Sequence, residues 1–84
     1  MNTYKISEWE EAIKHRPEIE LNEIYLDDGR VRTAIGTVLV PTKHKVRGET
    51  QWRQKRVRWN RFGFCMNVNG SHNSTLNQYN IFIK

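Results

Sequence analysis

Basic and aromatic side chains are concentrated in the ten residues 52–61, and a second basic cluster at residues 43–47 precedes them. Guanidinium groups bind phosphate through paired hydrogen bonds, and aromatic rings stack on exposed bases. Cationic strands interleaved with aromatic rings are typical of surfaces that bind single-stranded nucleic acid or the backbone of a duplex. The predicted nucleic-acid-binding residues are Lys43, Lys45, Arg47, Trp52, Arg53, Lys55, Arg56, Arg58 and Arg61.

The charge of the chain is divided near residue 29. Residues 1–29 carry eight carboxylates against three lysines or arginines, whereas residues 30–84 carry eleven lysines or arginines against the single acid Glu49. The net charge of +5 at pH 7 therefore conceals a dipolar chain whose larger part is strongly cationic. Such an imbalance bears on partners and association rates rather than on fold. We expect DNA or RNA as the partner, bound largely without regard to sequence and with an affinity that falls steeply with salt.

The two tryptophans of the basic stretch differ in their predicted roles. Trp59 alternates with Val57 and indicates a core position, whereas Trp52 has the opposite parity and is the better candidate for an exposed ring. The same alternation divides the basic residues of this strand between two faces: Arg56 and Arg58 on one, and Arg53, Lys55 and Arg61 on the other. One ligand can therefore contact both groups only if the strand lies at a sheet edge or is strongly twisted.

Two alternatives explain the same charges without nucleic acid. Opposed charge patches speed encounter with a complementary protein, and Tyr4, Trp9 and Trp52 are residue types that dominate protein interfaces. The alternative function is therefore a stoichiometric inhibitor or adaptor that binds an acidic host protein. Basic residues on edge strands also guard against aggregation, and an acidic helix could cover part of the protein's own basic sheet.

Candidate catalytic and metal-ligating residues are sparse. His15, His44 and His72 are far apart and have no ligand spacing, and a single cysteine, Cys65, allows neither an internal disulfide nor a thiolate metal site. Cys65 lies between two apolar residues, which indicates a small buried hydrophobe rather than a nucleophile. The glycines form no phosphate-binding motif. The sequence predicts no enzyme, no metal site and no cofactor.

The length of 84 residues predicts a single small domain, 1–84, with one core and no deep catalytic cavity. The amino terminus lacks the basic stretch and apolar run of a secretory signal. No segment approaches the ~20 apolar residues that cross a bilayer. We therefore expect a cytoplasmic protein with no membrane partner.

The element pattern predicts an α+β fold. Ser7 and Glu10 match a capping box, Trp9 begins a narrow apolar stripe, and Pro17 ends a short helix over residues 7–15. Asp28-Gly29 marks a hairpin turn, Pro41 closes the second strand, and residues 42–51 are predicted to be an extended loop. The fold would be one short helix packed on an antiparallel sheet of about four strands, although a small open barrel fits the same pattern. The predicted strands are 19–27, 30–40, 52–62 and 76–83, and Gly63 is predicted to form a bulge or bend before Phe64-Cys65-Met66.

Three short motifs outline this sheet: an acidic-glycine hairpin, a basic strand and a closing strand. They read Asp28-Gly29-Arg30-Val31, Val57-Arg58-Trp59 and Tyr79-Asn80-Ile81. In this outline, over roughly residues 20–83, the chain resembles a loose class of small phage- and prophage-encoded β-rich proteins. The resemblance implies a genome-compact accessory protein of the host cytoplasm, and small phage proteins often inhibit a host enzyme. It carries over no catalytic residue.

Overall fold

Four antiparallel strands form a meander in the computed structural model, which describes residues 3–82. The strands pair in the order β1-β2-β3-β4, and within the described residues β1 and β4 do not pair, so the sheet is open. This confirms the predicted α+β class and the antiparallel sheet of four strands. The elements are α1 (Ile6–Ile13), β1 (Ile19–Asp27), β2 (Arg30–Val46), β3 (Glu49–Asn60), β4 (Cys65–Asn67) and a 3₁₀ helix (Ser74–Tyr79).

Helix α1 begins one residue before the predicted start and ends two residues before the predicted end. Lys5 is the N-cap residue, and its backbone N–H donates to the carboxylate of Glu8 at 3.0 Å. The predicted capping box at Ser7 is therefore wrong, because Ser7 already lies in the first turn. Trp9 is fully buried, as its place on the apolar stripe predicts.

The β1–β2 hairpin is confirmed, and β1 has the predicted bounds. Asp28 and Gly29 adopt positive φ angles of 54° and 78°, which suit a two-residue turn between twisted strands. Tyr25 pairs with Thr33, but the next residue, Leu26, pairs with Val31. Arg32 is therefore an extra, bulged residue in β2. Because such a bulge changes the alternation, Val31 joins the buried face of the sheet.

The predicted loop over residues 42–51 is wrong, because β2 and β3 continue through it as a two-stranded ribbon. A tight turn with positive φ at Arg47 (55°) and Gly48 (79°) joins the strands. Pro41 does not end β2: it pairs with Trp52 at the start of an irregularity that extends to Lys45, and proline is tolerated at such positions. We call residues 41–52 the arm.

The predicted strand over residues 76–83 is also wrong where the structure describes it; Ile83 lies outside the described residues. Residues 74–79 form a 3₁₀ helix, whose first turn is capped when Asn73 Oδ1 accepts from the Thr75 N–H at 3.0 Å. Leu76 and Tyr79 are three residues apart, which places both on one side of a 3₁₀ helix, and both are buried. The fourth strand is instead β4, which pairs with residues 57–59.

The core lies on one face of the sheet, which we call the inner face, beneath α1 and the 3₁₀ helix. The indole Nε1 of Trp59 donates to the carbonyl of Tyr79 at 2.9 Å and ties the 3₁₀ helix to β3. Neither helix covers the opposite, outer face. Residues 3–82 contain no helix with the length and apolarity needed to cross a bilayer. The buried apolar residues are Trp9, Ile19, Val31, Ala34, Val38, Val57, Trp59, Cys65, Leu76, Tyr79 and Ile81.

Candidate nucleic-acid interface

Strand alternation places Arg56 and Arg58 on the outer face, whereas Val57 and Trp59 are buried on the inner face as predicted. The pairing register fixes the neighbours of Arg58. On the outer face, one row runs across all four strands through Glu23, Ile35, Arg58 and Met66. The next row carries Tyr25, Thr33 and Asn60.

Apart from Glu23, the residues of these two rows line a shallow concavity of about 610 Å³ on the outer face. Arg58 is half-buried there, and its Nε donates to Thr33 Oγ1 at 3.4 Å, while that hydroxyl donates to the Trp59 carbonyl at 2.7 Å. The hydrogen bonds hold the guanidinium of Arg58 along the sheet surface. The lining residues are Tyr25, Arg32, Thr33, Ile35, Arg58, Asn60, Arg61, Met66 and Val68.

Arg61 lies beside Arg58 rather than on the opposite face, where the sequence analysis placed it. Strand β3 ends at Asn60, whose side-chain oxygen accepts from the N–H groups of Phe62 at 2.9 Å and Phe64 at 3.0 Å. This turn ends the alternation on which the prediction rested. It also brings Arg61 to the rim of the concavity.

Arg53 and Lys55 lie on the inner face, opposite Val40 and Val38. They line a different cavity of about 470 Å³, between the base of the arm and the 3₁₀ helix. The predicted division of the β3 charges between two faces is therefore confirmed for these two residues. The structure does not bring them to the surface that holds Arg56 and Arg58.

The arm carries the remaining predicted residues. Pairing of β1 with β2 ends at Val38, so the two strands of the arm have no further strand neighbour within residues 3–82. The molecule is accordingly elongated, with extents of 49 × 26 × 24 Å. Lys43, Lys45 and Arg47 are exposed on the arm, and Trp52 is 59% exposed at its base. Lys45 pairs with Thr50, and Thr50 faces the same side of β3 as Arg56. Lys45 therefore lies on the outer side of the arm.

The acidic residues of α1 leave this surface open, although Glu20 and Glu23 of β1 lie on the outer face. Among residues 3–82, Arg56 is the one member of the predicted set with a carboxylate oxygen within 4.0 Å, that of Glu23 at 3.3 Å. Helix α1 covers the inner face, so its exposed carboxylates lie on the far side of the sheet from the concavity. They do not cover the basic outer face. The carboxylates of α1 are Glu8, Glu10 and Glu11.

Two titratable groups, Tyr25 in the concavity and Cys65 in the core, have raised pKa values. Tyr25 donates its hydroxyl to Glu23 at 2.6 Å, and this hydrogen bond raises the pKa of Tyr25. Burial raises the pKa of the Cys65 thiol to about 12, so the thiol is not a nucleophile near neutral pH. In the part of the chain that the structure describes, no group of three histidine, cysteine or acidic side chains could hold a metal ion.

Sequence reasoning missed Arg32 and Tyr25, which join Arg58 and Arg61 around the concavity. Tyr25 alternates with Glu23, a signal that could have placed both on one face of β1. No comparable signal exists for Arg32, because its position depends on the bulge in β2. No protein-family model, curated protein or solved structure matches the chain.

Proposed function

We propose that the protein is a non-enzymatic nucleic-acid-binding protein that contacts the phosphate backbone through the outer face and the arm. One observation carries the proposal: three arginines, Arg32, Arg58 and Arg61, converge around an open concave surface that neither helix of residues 3–82 covers. Guanidinium groups match phosphate geometry and remain charged at any physiological pH. Convergence on an open surface, rather than the net charge, is what distinguishes a binding face from ordinary surface charge.

The arm supports the same function. It extends Lys43, Lys45 and Arg47 away from the sheet, where they can follow a backbone or enter a groove. The acidic side chains of α1 lie behind the sheet, so the charge distribution orients the outer face towards a polyanion during encounter. We expect the protein to act in the cytoplasm and to bind DNA or RNA with little sequence preference, because phosphate contacts carry no sequence information.

The second candidate is an inhibitor or adaptor that binds an acidic protein. It is favoured by the apolar side chains of the arm, since Trp52 is 59% exposed and Val46 is 54% exposed. Tryptophan and arginine are enriched among the residues that dominate protein interfaces. Under this alternative the arm inserts into a partner protein, and added nucleic acid does not displace that partner.

Fluorescence anisotropy with labelled single- and double-stranded DNA and RNA at several salt concentrations tests the first candidate. We expect binding that weakens steeply with salt, and a double variant Arg56→Ser/Arg58→Ser whose log–log salt slope is smaller by about two. The matched control is Arg53→Ser/Lys55→Ser, which removes two charges from the inner side of the same strand. It should retain nearly wild-type affinity.

The two candidates give different results in this experiment. Absent or salt-insensitive binding of nucleic acid, together with a protein partner recovered by pull-down, would establish the inhibitor or adaptor. An equal loss in the two double variants would show that net charge, and not the outer face, governs binding. Circular dichroism of each variant verifies that the sheet is intact.

A further inference from the structure

The concavity on the outer face is apolar at its floor and cationic at its rim. Ile35 and Met66 are half-buried and adjacent to Arg58, each paired with it across a strand boundary. Val68, 38% exposed, adds to the apolar lining. A purely phosphate-binding surface needs no apolar floor, because the backbone presents charge to the protein. The combination instead matches a nucleotide, in which the flat aromatic face of a base is flanked by anionic phosphates.

The size of the concavity agrees with such an occupant. Four strands at about 4.8 Å spacing give a surface roughly 14 Å wide between β1 and β4. The volume of about 610 Å³ is within the range of sites that hold a small ligand. The concavity is open, so a chain could cross it and leave at either side. A duplex keeps its bases stacked inside and could not place one on this floor.

Two side chains of the concavity are held in place before any ligand arrives. The Tyr25 hydroxyl is fixed by Glu23 at 2.6 Å, yet the residue remains 40% exposed. The Arg58 guanidinium is oriented more weakly, by a long hydrogen bond of 3.4 Å to Thr33. Side chains that are already ordered lose little conformational entropy on binding, which favours a tight contact.

We propose that this concavity binds an unstacked base of single-stranded nucleic acid. Tyr25 stacks on the base, and Ile35 and Met66 contact it from the floor. Arg32, Arg58 and Arg61 bind the phosphates on either side. The inference rests on the proposed function and deepens it, because it selects single strands over duplexes. DNA and RNA share this chemistry, and separate titrations of the two distinguish them.

The test compares three oligomers of equal length: a single strand, its abasic counterpart with the same backbone, and a duplex. We expect the single strand to bind about tenfold or more tightly than the abasic oligomer at the same salt concentration. Tyr25→Ala should weaken single-strand binding about fivefold or more and leave abasic binding unchanged. Tyr25→Phe keeps the ring but loses the hydrogen bond to Glu23, so it should bind the single strand more tightly than Tyr25→Ala and only slightly more weakly than the wild type. Phe64→Ala removes an exposed aromatic ring, 52% exposed, from outside the concavity and is the matched control.

The failure of this inference and the failure of the proposed function are separable. Equal, salt-dependent affinity for all three oligomers, or a Tyr25→Ala variant that binds the single strand unchanged, overturns the base-binding concavity and leaves backbone binding intact. Absence of binding to every oligomer overturns both. If Tyr25→Ala loses its circular dichroism signal, Ile35→Thr replaces it, because this substitution keeps a β-branched residue in β2 and makes the floor polar. Unchanged single-strand affinity in Ile35→Thr contradicts the inference equally.

Discussion

The carboxylate of Glu23 lies 3.3 Å from the guanidinium of Arg56, although β1 and β3 carry them on opposite sides of β2. The two side chains are 46% and 59% exposed, so water and salt weaken their attraction and the pair contributes little to stability. Its consequence is electrostatic. A carboxylate on the outer face opposes the field that the proposed ligand would meet, and it engages one of the arginines that would bind phosphate.

Glu23→Gln should therefore increase nucleic-acid affinity about two- to fivefold at low salt. The gain should diminish as salt rises, because screening weakens both the ion pair and the repulsion of phosphate by the carboxylate. Anisotropy titrations at two salt concentrations measure it. The control is Glu10→Gln, which removes the same charge from α1 behind the sheet. An equal gain from both variants would show that only net charge matters.

The arm should contribute the same contacts to every nucleic acid. We expect Lys43→Ser/Lys45→Ser/Arg47→Ser to reduce the log–log salt slope by about two to three for single strands and duplexes alike. These side chains are exposed, so the free energy of unfolding should change by less than about 0.5 kcal/mol. Salt-dependent titrations and urea unfolding provide the two measurements.

A charge-preserving variant, Lys43→Arg/Lys45→Arg/Arg47→Lys, is the control for the arm and should bind like the wild type. If the serine variant binds with an unchanged slope, the arm does not contact phosphate. A protein partner that is lost with the serine variant would then favour the inhibitor or adaptor.

Gly36 allows β1 to approach β2 closely, and replacing it should destabilise the sheet that forms the outer face. A Cβ at this position would collide with the backbone carbonyl of Glu20. Backbone cannot turn aside as a side chain can, so Gly36→Ala should cost about 2 kcal/mol or more in urea unfolding. The control is Thr37→Ala at the neighbouring position, whose side chain lies on the outer face. This substitution adds no Cβ and should cost less than about 1 kcal/mol. Similar costs for the two variants would mean that β1 can shift to accept the methyl group.

Cys65 should be unreactive in the folded protein. Burial raises its pKa to about 12, although the nearby charge of Lys55 lowers it slightly, so at pH 8 the thiolate fraction is about a thousandfold below that of a free cysteine. Alkylation followed by mass spectrometry should show labelling that is slow in buffer and complete in urea. Rapid labelling in buffer would reveal that the β4 segment opens readily.

Local signals predicted the parts of the fold that local physics determines. The Asp28-Gly29 turn fixes the first hairpin, and alternation along β3 correctly separates Val57 and Trp59 from Arg56 and Arg58. These features needed only neighbours in sequence. The same reasoning placed Arg56 and Arg58 together on one face, but it missed Arg32 and put Arg61 on the other.

The errors occurred where tertiary structure overrides a local signal. Pro41 is a strand breaker, yet the irregular pairing that follows it lets β2 continue and turns a predicted loop into the arm. Alternating apolar residues near Tyr79 imitate a strand, but the cap at Asn73 and the burial of Leu76 favour a 3₁₀ helix. The concavity could not be predicted, because Arg32 and Arg61 reach it through a bulge and a turn.

Acid should weaken the attachment of residues 74–80, the carboxy-terminal segment that Arg16 contacts, to the rest of the protein. The Arg16 guanidinium donates to Glu18 at 2.7 Å and to the Gln78 carbonyl at 2.7 Å. Burial raises the pKa of Glu18, but the Arg16 hydrogen bond and charge, with a backbone hydrogen bond, lower it below its ordinary value of 4.5.

A lowered folded-state pKa stabilises the protein above pH 4.5, and this stability is lost as pH falls through the folded-state value. Urea unfolding at pH 7 and pH 3 should show that Glu18→Gln destabilises by less than about 1 kcal/mol at the higher pH and by a smaller amount at the lower. Arg16→Met should cost more at both, about 1–3 kcal/mol, because carbonyls of the segment lose their donor. A penalty for Glu18→Gln that is as large at pH 3 as at pH 7 would contradict the ionic account.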